Sequence, residues 1–168
     1  MITDLVQIRR LGEQKFDENH RFRTYLKTHN FVERRFRKIA GEIEDQIDCT
    51  QCANCCRVAL TPIAERDVEK LARFLRLSLR KFLEQYTKRD EFNDLVLETN
   101  QNGCVFLEGN LCTVYEARPG TCERYPHLVR GQGSLVSRMW QFVDRASYCP
   151  IDYNTMEASK DHVGWPRR

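Results

Sequence analysis

The chain lacks any run of roughly 18 consecutive apolar residues, so no stretch reads as a helical membrane span. Its first residues, MITDLVQIRRLGEQKF, hold no apolar core followed by a small-residue cleavage site, and no secretory leader is expected. There is no Gly-rich phosphate loop, no nucleophile elbow and no His-Glu-x-x-His. Each absence removes one common signature of an enzyme class. No paired carboxylates can be singled out, so no catalytic residue is assigned. Internal repeats and low-complexity tracts are missing too, which excludes solenoid architectures and long unstructured linkers.

What remains is a chain of 168 residues, 41% hydrophobic and 30% charged, the size and balance of one globular domain. The expected compartment is the cytoplasm. Thiols there stay reduced, so eight cysteines point to metal ligation rather than to four disulfides. Ligation also changes the charge. Eight thiolates with two divalent cations subtract four from the formal net charge of +3, leaving −1. The basic balance is a counterweight to the cysteines and weak grounds for a nucleic-acid partner.

Three segments follow from the pattern. Residues 1–48 form an N-terminal helical segment of the same domain, residues 49–150 a cysteine-cluster metal-binding domain, and residues 151–168 a C-terminal tail. In the first, Phe22, Leu26, Val32, Phe36, Ile39, Ile43 and Ile47 recur mostly three or four apart, with His29 in the gap. That spacing predicts one helix over 22–47, roughly 39 Å long. Thr61 and Pro62 read as the cap and first turn of a helix, with Ala64, Val68, Leu71, Ala72 and Leu75 on its apolar face. Ser78 reads as a second N-cap. Val105–Leu107 and Leu111–Tyr115, split by Glu108-Gly109-Asn110, predict a β-hairpin. Residues 135–143 fit either a strand or a helix. The fold class expected is mainly α with a small β-hairpin, the helices packed around a cysteine-rich, metal-stapled loop region.

The first cysteine group is Cys49, Cys52, Cys55 and Cys56. Two-residue gaps turn successive thiolates toward one ion or cluster. Adjacent Cys55 and Cys56 are expected to diverge, which implies two ions or one polynuclear cluster, and sites that mix the two groups. The second group, Cys104, Cys112, Cys122 and Cys149, is dispersed and must be gathered by the fold. All eight are candidate ligands. Zinc and iron both accept four thiolates in tetrahedral arrangement. Ligands paired with a hairpin favour zinc; repeated Cys-x-x-Cys gaps and Cys149-Pro150 favour an iron–sulfur cluster.

The run Cys49-x-x-Cys52-x-x-Cys55-Cys56 resembles the CxxCxxCC cysteine-cluster family, the YkgJ-like proteins described as zinc- or iron-chelating domains. Cys104-Val-Phe-Leu, Leu-Cys112-Thr-Val-Tyr115-Glu-Ala-Arg118-Pro119, Cys122 and Tyr125-Pro126 extend the resemblance over about residues 49–150. Members often carry arginine directly after the cysteine that follows Arg-Pro; here that place is Glu123, with Arg124 next. The resemblance implies metal binding more securely than any reaction.

Arg57, Arg118 and Arg124 stand near cysteines and are weighed between donation to thiolate sulfur and solvated surface. Tyr115 reads as a core aromatic, and His127 as a minor candidate ligand. Arg34-Arg35-Phe36-Arg37-Lys38 is the densest basic patch, more simply the wet face of an amphipathic helix than a nucleic-acid site. The expected function is metal binding with a structural, sensing or storage role. The alternatives are an iron–sulfur redox protein or oxidoreductase and, more weakly, a metal-stabilised nucleic-acid binder.

Overall fold

The computed structural model describes residues 1–29, 31–131 and 133–166. In chain order the helices are α1 (Leu5–Gln14), α2 (Phe16–Thr28), α3 (Glu33–Glu44), α4 (Cys49–Cys52), α5 (Asn54–Val58), α6 (Glu65–Phe74), α7 (Leu79–Tyr86), α8 (Gly120–Glu123), α9 (Leu135–Arg145) and α10 (Pro150–His162). The strands are β1 (Thr87–Arg89), β2 (Leu95–Leu97), β3 (Thr99–Asn100), β4 (Gly103–Cys104), β5 (Leu107–Glu108) and β6 (Leu111–Cys112). They pair antiparallel as β1–β2, β3–β4 and β5–β6. The class is mainly α with small β-hairpins, as expected. None of the described helices is long and apolar enough to cross a membrane.

The chain divides into two compact units, residues 1–48 with 126–168, and residues 49–125. The first is helical. The helix predicted over 22–47 is two helices, α2 and α3; Asn30 between them lies outside the described residues. His29 leaves helical geometry at φ −126° and Val32 is extended at φ −98°, ψ 91°. His, Phe and Val are all weaker helix formers than Ala or Leu, so the stripe of apolar residues outlasts the helix. Phe36 of the basic patch is buried, and Arg37 donates to the Leu128 and Val129 carbonyls at 3.2 and 2.9 Å. Residues 135–143 are helical, within α9.

The expected tail is the largest departure. Pro150–His162 form α10, buried along most of its length. A helix with no clear apolar stripe is stable inside a protein when its polar groups find partners. Asn154 Nδ2 donates to Ile2 O and Pro150 O, both at 2.7 Å, and Asn154 Oδ1 accepts from Ile2 N at 2.9 Å. Lys160, fully buried, donates to Glu18 at 2.6 Å and to Glu157 at 2.7 Å. Glu157 is shared with Lys15.

The core of the second unit includes Val68, Leu71, Phe82, Leu97 and Phe106, with Tyr86 stacked between Phe82 and Phe106 at 5.6 and 5.1 Å. Ser78 caps α7 as predicted, its Oγ accepting from Lys81 N. Thr61-Pro62 does not start α6, whose N-cap is Ala64. Pro62 instead bridges to Val96, flanked by Ile63 N to Leu95 O and Leu97 N to Thr61 O. This pairing with β2 satisfies the Ile63 N–H and the Thr61 carbonyl, and holds the segment extended.

Candidate metal centre

Seven of the eight cysteines lie in the 49–125 unit. Cys49 and Cys52 sit on α4, Cys55 and Cys56 on α5. Ala53 separates the two turns with a left-handed backbone, φ 48°, while only 4% exposed. An alanine held there costs roughly 1–2 kcal/mol, a strain that recurs at functional sites. Cys55 and Cys56 do not diverge as expected. Their sulfurs are 4.0 Å apart.

Three members of the second group lie in the same unit. Cys104 ends β4, Cys112 ends β6, and Cys122 lies on α8. Gly103 places β4. It has φ +111°, and a Cβ there would stand 2.5 Å from both the Cys56 carbonyl oxygen and the Arg57 Cα. Only glycine allows that approach, which sets Cys104 beside Cys56. Asp67, 5% exposed, accepts from Gly120 N at 3.0 Å and from Ala64 N at 3.0 Å, holding the start of α8. Thr121 Oγ1 donates to Pro62 O at 3.0 Å, and the Cys122 sulfur lies 4.0 Å from Thr61 Oγ1.

Electrostatics show which thiols share surroundings. The Cys55 hydrogen bond pulls the Cys56 thiol down, burial opposes it, and Arg57 and Arg118 assist, for a value of about 7. Burial pushes Cys104 up to about 11, with Cys56 and Cys112 adding to it. Burial pushes Cys122 up to about 12, reinforced by Cys56, Cys104 and Cys112. Cys112 is raised by burial and by Cys56, against Arg118. Cys56, Cys104, Cys112 and Cys122 are thus partly desolvated and near enough for charge on Cys56 to raise the other three. Four thiols that cannot all ionise alone are a donor set suited to a thiophilic cation, which removes the repulsion. Among the described residues, no three His, Cys, Asp or Glu side chains already stand in ligating arrangement.

Cys149 belongs to the helical unit, where it is buried at the N-cap of α10. Burial pushes the neighbouring Asp152 carboxyl up to about 7, against the Arg145 charge and the Cys149 thiol. His127 is also in the helical unit, in a left-handed conformation at φ 70°. Tyr115 is 46% exposed rather than a core aromatic, and the Arg118 guanidinium lies 3.6 Å from its ring centroid. Arg57 donates to Cys52 O and Gly109 O, each at 2.9 Å, and to Asn110 Oδ1. The roles of Gly103, Asp67 and Asn110 were missed in the sequence. A glycine directly before Cys104 was the one available signal.

Seven cysteines gathered from separate segments into one unit of helices and small hairpins are the composition of a metal-chelating class of protein. A sequence model of the CxxCxxCC family, described as a "putative zinc- or iron-chelating domain", matches residues 48–150. That is more than half of the chain, and the chain belongs to this family. No solved structure matches it.

Proposed function

We propose that the protein holds zinc or iron through Cys56, Cys104, Cys112 and Cys122, in a structural, sensing or storage role within a reducing cytoplasm. The observation that carries this is the approach of β4 to α5 at Gly103, which joins the two cysteine groups within one unit. The donor chemistry supports this reading: four partly buried thiols are coupled by charge, and Arg57 and Arg118 bring positive charge to Cys56. When bound, the cation would neutralise thiolates that otherwise repel and would tie together segments distant in sequence. Such binding supplies roughly 10–16 kcal/mol in small zinc peptides, comparable with the roughly 5–15 kcal/mol of a whole domain. Cys49, Cys52, Cys55 and Cys149 are the remaining candidate ligands.

The test is elemental analysis and absorption spectroscopy of anaerobically purified protein. Near-integral zinc in colourless protein supports the closed thiolate site. Brown, iron-containing protein that bleaches reversibly on reduction assigns an iron–sulfur redox role instead. Neither metal in folded protein from metal-replete cells defeats the proposal. Cys56→Ser is expected to lose a bound ion; full metal content in that variant would refute the ligand set.

A further inference from the structure

Two polar residues outside the cysteine set join the first cysteine run to the β5–β6 turn. Arg57 reaches back to Cys52 O at 2.9 Å and across to Gly109 O at 2.9 Å and Asn110 Oδ1. Asn110 Nδ2 in turn donates to Gln51 O at 2.7 Å. Three of the four bonds connect residues more than 50 positions apart in sequence, tying the run from Gln51 to Arg57, which contains Cys52, Cys55 and Cys56, to the turn that precedes Cys112. Backbone carbonyls take three of the four bonds, so the contacts fix where the chain runs rather than where another side chain points.

We infer that Arg57 and Asn110 are positioning residues that latch the cysteine run onto the β5–β6 turn and thereby set metal affinity. This rests on the metal-binding reading above. Neither residue touches the metal. Their role is to make the thiols converge before an ion arrives, so that less chain ordering is charged to binding. Arginine suits the place because one planar fork serves three acceptors, which a lysine ammonium on a flexible stem does not reproduce. The Asn110 side chain suits it because it accepts from Arg57 and donates to Gln51 at once.

The experiment uses the full chain, purified anaerobically, stripped of metal and reloaded with Co(II), followed by competition with Zn(II) against a chromophoric chelator. Asn110→Ala is expected to weaken zinc binding about 10- to 100-fold, the range typical of lost supporting contacts. The number of cobalt ions per chain and the thiolate-to-cobalt charge-transfer intensity at saturation should match the wild type. Arg57→Lys, a milder change, should fall between the two. Asn110→Asp keeps the acceptor and should recover part of the loss. Wild-type affinity in folded Asn110→Ala overturns the latch. If that variant does not fold, wild-type affinity in Arg57→Lys overturns it. A variant short of a whole cobalt ion overturns it too, since a ligand would then have been lost. Wild-type protein that takes up no metal sinks the latch and the metal reading together.

Discussion

Gly103→Ala tests whether close backbone contact, rather than cysteine chemistry alone, assembles the site. The new Cβ would meet the Cys56 carbonyl oxygen and the Arg57 Cα at 2.5 Å, both backbone atoms that cannot swing aside. The residue would also be held at φ +111°, which an L side chain adopts at a cost of about 1–3 kcal/mol. Overpacking adds about 1–3 kcal/mol, for a total of about 2–6 kcal/mol. That is a large share of the roughly 5–15 kcal/mol net stability of a domain. Gly109→Ala is the control. Gly109 sits at φ +60° with nothing within 4 Å of its added Cβ, so only the left-handed cost of about 1–2 kcal/mol applies. Urea denaturation of both variants, with and without bound metal, separates the two effects. Gly103→Ala should be the less stable and should bind metal more weakly, although every cysteine is retained. Equal losses in the two variants would refute the claim that β4 must lie against α5.

Metal removal by a chelator under reducing conditions should raise hydrogen exchange across residues 49–125; unchanged exchange there would argue against a metal-stapled unit. Within the helical unit, burial pushes the Glu157 carboxyl up, but hydrogen bonds from Lys15 and Lys160 outweigh it and hold the pKa below its usual value. The unfolded chain therefore binds more protons near pH 4, so this stabilisation is full above the unfolded pKa of about 4.3 and is lost as pH falls through the folded one. Glu157→Gln should cost on the order of 1–3 kcal/mol at pH 7 and flatten the acid side of the stability profile; a slope as steep as wild type would contradict the assignment. Cys104→Ser should reduce bound metal as Cys56→Ser does, and retention of a full complement would remove it from the ligand set.

The candidate ligands were legible in the sequence because candidacy resides in residue type: a thiol qualifies wherever it falls. Partnership was not. Cys56 and Cys104 meet because a glycine at φ +111° lets two backbones touch, and no spacing rule encodes that contact. The same division runs through the helices. Ser78 was readable as a cap because capping is local, a hydroxyl and an N–H three residues on. Thr61-Pro62 had the same local credentials and lost to pairing with β2, a contact with residues more than 30 positions away. In α10, Asp152, Asn154, Thr155, Ser159 and Lys160 have the composition of a wet tail, yet all are buried. Burying polar groups is costly until partners are supplied. Asn154 finds its partner at Ile2 and Lys160 at Glu18, both more than 140 residues earlier, whereas the buried hydroxyls of Thr155 and Ser159 have no hydrogen-bond partner among the described residues. Polarity patterns report the solvent a residue would choose alone; the fold decides whether another segment can stand in for that solvent.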